Sequence, residues 1–113
     1  TKFGQIKMLK NKDTEIGINS FFKDETIPRF IVELTLAHEL VHYMHGFHSP
    51  HPKMFKHPHK GGIVDNELKL RGYANELANE KIWFRNEWPR LRNGSVEKSS
   101  VRHVRNTFRF FSG

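Results

Sequence analysis

Residues 27–46 read I-P-R-F-I-V-E-L-T-L-A-H-E-L-V-H-Y-M-H-G, an apolar stretch with a proline near its start and a glycine at its end. Proline is favoured in the first turn of a helix, and glycine is favoured just after the last turn. We therefore predict a helix from about Ile27 to His45, with Gly46 as its stop. Its apolar residues fall on nearly every side, which is typical of a helix that neighbours cover on several faces.

Within this helix the pattern H-E-x-x-H places two histidines one turn apart. His38 and His42 share a face, so both imidazoles can reach one Zn²⁺, and Glu39 is turned so that its carboxylate can meet a metal-bound water. The alternative is a helix whose histidines only satisfy each other. Burying them among apolar residues without a partner would cost several kcal/mol, so the pattern favours a zinc site.

A catalytic zinc usually has three protein ligands, so a third must be found. Glu67 is the first candidate, because it lies on the apolar face of the next predicted helix, where an unpaired carboxylate is unfavourable. The alternative for Glu67 is an i,i+4 ion pair with Arg71. A three-histidine site would instead take its third ligand from the loop of residues 46–62, where His51 is the strongest of four rivals: His48, His51, His57 and His59.

Outward from this helix, we predict an α+β fold in one minimal domain, residues 1–113. Two short runs around a polar connection, residues 6–9 and 15–22, predict an N-terminal β-hairpin whose second strand has an open edge. A long second helix is expected over residues 64–88. A basic C-terminal helix is expected over residues 95–111, with Lys98, Arg102, Arg105 and Arg109 along one side.

Composition and charge exclude several classes of protein. The chain has no cysteine, which excludes disulfides, thiolate nucleophiles and cysteine-bound zinc. No apolar run is long enough to span a bilayer and no secretory signal is visible, so we predict a cytoplasmic location and no membrane partner. Residues 1–88 carry a net charge of +2 and residues 89–113 carry +5, so the basic excess lies in the C-terminal segment.

Three quoted segments carry a resemblance to a known family: A-H-E-L-V-H, H-S-P-H-P-K-M-F and N-E-L-K-L-R-G-Y-A-N-E-L. In this order, after a short hairpin, they resemble the small zinc peptidases called minigluzincins, which are close in pattern to SprT-like metallopeptidase domains. The resemblance covers about residues 3–88. It implies that His38, His42 and Glu67 hold zinc, with Asn66-Glu67 matching the family's pair, and that Glu39 is the general base.

The expected function is zinc-dependent hydrolysis of peptide bonds in a peptide or protein substrate. The strand of residues 15–22 is expected to bind the substrate by edge pairing, and Tyr73, His57 and His59 are candidates for stabilising the oxyanion. The alternatives are a DNA-associated SprT-like protease and a non-enzymatic binding module that zinc stabilises. For the basic segment, residues 89–113, the sequence leaves four roles open: a core helix, a latency segment that keeps a zymogen inactive, a contact in a homo-oligomer, and nucleic-acid binding.

Overall fold

The computed structural model describes residues 2–93, 103–104 and 108–111. It is an α+β fold with an N-terminal antiparallel hairpin followed by helices, as predicted. The strands are β1 (Gly4–Met8), β2 (Thr14–Asn19), β3 (His103–Val104) and β4 (Phe108–Phe111), and the helices are α1 (Arg29–Met44), α2 (Ile63–Leu70), α3 (Ala74–Asn86) and α4 (Trp88–Asn93). Single turns of 3₁₀ helix follow β2, at Ser20–Lys23, and precede α2, at Lys60–Gly62.

The hairpin prediction is confirmed, but the predicted open edge is on the wrong strand. β1 and β2 pair in register from Gly4 opposite Ile18 to Met8 opposite Thr14. β4 then pairs with the other side of β2 in parallel, and the strand order is β1-β2-β4-β3. β2 is therefore an interior strand, all six of its residues are buried, and the outer edge on this side of the sheet belongs to β1.

Helix α1 lies at the centre of the described structure and packs on both β1 and β2 as well as on α2 and α3. Pro28 occupies the position before its first turn, and the helix ends at Met44, ahead of Gly46 at φ +88°. One apolar cluster joins the start of α1 to the sheet, α3 and α4 around Ile31 and Trp83. A second joins another face of α1 to α2 and α3 around Leu34, Val41 and Leu68. The helix is thus held from several sides, as its apolar pattern predicts.

The predicted long second helix is wrong, because the chain breaks it into α2, α3 and α4. Gly72, at φ +96°, adopts a left-handed conformation that ends α2, and α3 begins two residues later. The break changes which residues face the core. Leu70, which an unbroken helix would bury, is 84% exposed.

The predicted C-terminal helix is also wrong where the structure describes it. Residues 103–104 and 108–111 are strands, and Ile16 and Ile18 of β2 lie opposite Phe108 and Phe110 of β4. The helical spacing of apolar and basic residues did not produce a helix here. The backbone N–H and C=O groups on the side of β2 away from β1 are available for pairing, and β4 pairs with them as a strand. Lys98, Arg102 and Arg105 of the predicted basic face lie outside the described residues, and Arg109 lies in β4.

Candidate metal centre

Helix α1 brings two imidazoles together, as the H-E-x-x-H spacing predicts. The Nε2 atoms of His38 and His42 are 3.1 Å apart. Burial and, to a smaller extent, the neighbouring histidines lower the pKa of both side chains, that of His42 to about 4, while Asp65 opposes the shift at His38. Both imidazoles are therefore neutral near pH 7, which is the form that offers a lone pair to a metal ion.

The third imidazole comes from the loop between α1 and α2. His59 places its Nε2 atom 3.3 Å from Nε2 of His38, and its ring centroid lies 4.6 Å from that of His42. The ligand atoms of the three side chains all lie within 4.8 Å of one another. His38, His42 and His59 therefore form a cluster that could hold a metal ion.

Gly46 and several hydrogen bonds fix the first half of this loop. A Cβ atom at position 46 would lie 2.3 Å from the carbonyl oxygen of Pro52, so only glycine permits this close approach. The amide of Met54 donates to the carbonyl of His45 at 2.8 Å, and the hydroxyl of Thr14 donates to the carbonyl of His48 at 2.8 Å. These contacts tie the loop to the end of α1 and to β2, so that it returns toward α1 at His59.

The three neutral imidazoles have too few suitably placed protons to satisfy one another by hydrogen bonds, which favours a cation at the centre of the cluster. Nε2 of His38 lies within 3.3 Å of both of the other Nε2 atoms. A neutral imidazole carries one proton, so a proton on this atom cannot form two good hydrogen bonds in different directions, and a lone pair there can accept only from a protonated neighbour. A metal ion uses all three lone pairs at once, and the donor set of three neutral nitrogens fits it.

Glu39 lies beside the cluster and is nearly enclosed. It is 6% exposed, and among the described residues its carboxylate has no hydrogen-bond partner. Burial raises its pKa to about 7, and the charge of Lys2 opposes that rise. β1 closes over it at Gly4, where a Cβ atom would come within 2.8 Å of Glu39 Oε2. A carboxyl group with this pKa can both accept and release a proton near pH 7.

The cluster opens onto a cleft of about 300 Å³ between β1, α1 and the loop. His38, Glu39, His42 and His59 line one side of it, and Gly4, Gln5 and Ile6 of β1 line another. A ligand in this cleft would contact the cluster, the carboxylate and a strand edge together.

Glu67, the predicted third ligand, lies elsewhere. Its Oε2 atom accepts from Nε of Arg71 at 2.8 Å, which is the i,i+4 ion pair considered as the alternative. Its Oε1 atom is 3.7 Å from Nε2 of His45, whose side chain is almost fully buried. Glu67 is thus on the side of α2 that faces the end of α1, one turn beyond His42, and the structure does not bring it into the cluster.

The other candidates are also away from the cluster. The ring of His51 packs edge-on against Tyr43, with centroids 5.0 Å apart. Tyr73 is half-buried against the apolar cluster around Leu68, so its role here is in the core. His48 lines the cleft without joining the cluster, and His57 is exposed.

His59 is one of the four loop histidines that the sequence offers as a third ligand, and no sequence feature ranks it first. The one local signal is its place, directly before Lys60-Gly61-Gly62, where the chain turns into α2. The close approach of Gly4 to Glu39 left no signal in the sequence.

Comparison of the chain with known protein families, with curated proteins and with solved structures found no match. Within the described residues, no helix has both the length and the apolar character needed to cross a membrane.

Proposed function

We propose that this protein is a zinc-dependent metallopeptidase in which His38, His42 and His59 hold the ion and Glu39 is the general base. The observation that carries the proposal is the convergence of three imidazole nitrogens beside a buried carboxylate on the wall of an open cleft. In the resemblance stated from the sequence, Glu67 is the third ligand. The proposal replaces it with His59.

The distances support zinc in this cluster. Two nitrogens that each lie about 2.0–2.1 Å from one tetrahedral zinc are about 3.3 Å apart. The two Nε2 separations from His38 are 3.1 and 3.3 Å. Three protein ligands with a fourth position open is the pattern of catalytic zinc, whereas structural zinc is closed by four. No fourth ligand joins the cluster within the described residues, which favours the enzyme over a zinc-stabilised binding module.

Zinc in this position would supply a Lewis acid that polarises the scissile carbonyl and makes a water molecule easier to deprotonate. Glu39 takes the proton from the attacking water and delivers it to the leaving amine. The close approach of Gly4 places β1 against this carboxylate, at the wall of the cleft.

β1 supplies the substrate-binding edge that we first expected of β2. The carbonyl of Phe3 accepts from the amide of Asn19, so in the antiparallel ladder the amide and carbonyl groups of Gly4 and Ile6 point to the outer edge. Both residues line the cleft. An extended peptide that pairs with them would run past Glu39 and the histidines, with recognition through its main chain.

The test is cleavage of a peptide mixture by the zinc-loaded protein, followed by mass spectrometry. Glu39→Gln should lower kcat/KM by about 100- to 10,000-fold, the usual contribution of a general base, while one zinc stays bound. Glu33→Gln, on the exposed side of the same helix, is the matched control and should keep full activity. Equal cleavage by the wild type and Glu39→Gln would refute the mechanism, and zinc binding with no cleavage of any peptide would refute the peptidase proposal.

A further inference from the structure

A second cavity adjoins the cleft on the other side of Glu39. Its volume is about 240 Å³, and Gly4, His38 and Glu39 line both spaces. A peptide that lies along β1 with its scissile bond at Glu39 would therefore pass the mouth of this cavity, and a side chain beside that bond could enter it.

The lining of this cavity has two contrasting parts. Two carboxyl groups belong to it besides Glu39, those of Asp65 on α2 and Glu80 on α3, and no lysine or arginine lines it. Neither of these two acids has an ion-pair partner in the described part of the chain. Apart from Gly4, Thr35 and His38, the other lining residues have apolar side chains, from the residue before β1 and from three helices: Phe3, Leu34, Leu68, Leu77 and Phe84.

The two carboxylates lie near enough to act on each other in a half-buried position. Burial raises the pKa of Glu80 first and the charge of Asp65 raises it further, whereas Lys81 only partly opposes them. Two acids in this arrangement gain from a cation that enters the cavity. The carboxyl group of Glu39, which is 6% exposed and has no hydrogen-bond partner among the described residues, lies on the same wall.

The shape and chemistry fit a long basic side chain better than a free ion. Calcium takes six to eight oxygen ligands, and magnesium demands an octahedral shell, whereas Asp65 and Glu80 offer few oxygens in a cavity whose other lining residues are mostly apolar. Lysine and arginine have several methylene groups that bury well against apolar walls and a charged end that pairs with carboxylates.

We infer that this cavity is a specificity pocket that receives a lysine or arginine side chain next to the scissile bond, with Asp65 and Glu80 pairing with its charge. The inference rests on the proposed peptidase function, since it places the pocket relative to the bond that is cut. It assigns the substrate class as peptides with a basic residue at that position.

The experiment uses peptides that differ at one residue, lysine or norleucine, in an otherwise neutral sequence. Norleucine keeps the methylene chain and lacks the charge. The zinc-loaded protein should cleave the lysine peptide with a kcat/KM at least about 10-fold higher than the norleucine peptide, at a bond beside the lysine, as expected for a charge-assisted contact. Calorimetric titration of the metal-free protein with the same peptides should show the same order of affinity.

Asp65→Asn/Glu80→Gln should reduce the lysine preference to about twofold or less in both assays. Glu25→Gln/Glu33→Gln removes the same charge from exposed positions outside the cavity and should keep the preference. Equal cleavage or equal binding of the two peptides by the wild type would overturn the inference, as would a preference that survives in Asp65→Asn/Glu80→Gln. Preferential binding of the lysine peptide with no cleavage of either would support the pocket and refute the peptidase proposal instead.

Discussion

Gly4 and Glu39 lie so close together that a side chain at position 4 would require the Glu39 carboxylate to move. A Cβ atom there would come within 2.8 Å of both Glu39 Oε2 and Thr35 Cγ2. Glu39 borders both cavities, so an added Cβ atom would displace its carboxylate toward one of them and away from its place beside His38. A change in β1 would therefore affect Glu39, the proposed base, most directly through its contact with Gly4.

Gly4→Ala should lower kcat/KM for peptide cleavage by about 10-fold or more, because a displacement of about 1 Å is enough to misplace a catalytic group. Zinc affinity should stay within about twofold, because the three histidines are not touched. Steady-state kinetics and a competitive zinc titration measure the two effects. Met8→Ala, in the same strand but outside the cleft, is the control, and unchanged kinetics in Gly4→Ala would contradict the role given to this contact.

Glu80 predicts a pH dependence of stability. Its pKa is raised in the folded protein, so the folded state holds this proton more tightly than the unfolded chain, and stability falls as pH rises from the unfolded pKa through the folded one. Glu80→Gln should therefore raise the thermal midpoint at pH 8 and change it little at pH 4. Glu25→Gln should show no such difference, and a midpoint for Glu80→Gln below that of the wild type at pH 8 would contradict the prediction.

The loop between α1 and α2 decides which residue completes the cluster. The geometry of His38 and His42 is local to one helix, so their spacing was enough to predict it. The third ligand depends on contacts between distant residues, such as that of Thr14 with the carbonyl of His48, and on Gly46. Neither the contact of Thr14 nor the effect of Gly46 produces a periodic pattern in the sequence. For this reason Glu67 and His51 ranked above His59 as predicted third ligands.

His59→Ala should weaken zinc binding by at least about 100-fold, since losing even a hydrogen-bond partner of a ligand costs 10- to 100-fold. Glu67→Ala should change the zinc affinity by less than about twofold, because it removes an ion pair with Arg71 and a contact with His45, and neither residue belongs to the cluster. Competition titration with a zinc-sensitive dye measures both. A large loss in Glu67→Ala with little effect of His59→Ala would reverse the assignment and restore the gluzincin-type ligand set.

The remaining errors of prediction have the same origin in non-local structure. An apolar pattern continues through residues 64–88, yet Gly72 ends α2 because its left-handed conformation fits the packing of α2 and α3 on α1. The pairing of β4 with β2 joins residues about 90 positions apart in the chain. The hairpin and α1, whose backbone hydrogen bonds join residues close in the sequence, were predicted correctly.

The sheet as a whole separates the cleft from the C-terminal strands. Its order, β1-β2-β4-β3, puts β1 at one edge and β3 at the other, with β4 paired to the far side of β2. The described part of the C-terminal segment therefore supports the sheet and does not pair with the edge of β1 at the cleft. This arrangement favours a structural role over a latency segment.

Deletion of residues 94–113 should lower the free energy of unfolding by about 2–6 kcal/mol, since it removes the backbone pairing of β4 with four residues of β2 at about 0.5–1.5 kcal/mol for each net hydrogen bond. It should also increase self-association, because the interior strand becomes an edge. Urea denaturation and light scattering measure these effects. A stable deletion variant with higher peptidase activity would show instead that the segment is a latch.

Nucleic-acid binding by the basic excess of residues 89–113 stays a prediction. Contacts of lysine and arginine with phosphates release counterions, so any such binding should weaken steeply with salt. Fluorescence anisotropy with labelled DNA at low and moderate salt measures it, and no binding at low salt would exclude this role.

Anomalous diffraction from a crystal of the zinc-loaded protein locates the ion directly. The account predicts one peak about 2.0–2.1 Å from the Nε2 atoms of His38, His42 and His59, with the carboxylate of Glu39 nearby and Glu67 still paired with Arg71. A peak that Glu67 coordinates while His59 points away, or the absence of a peak between His38 and His42, would contradict it.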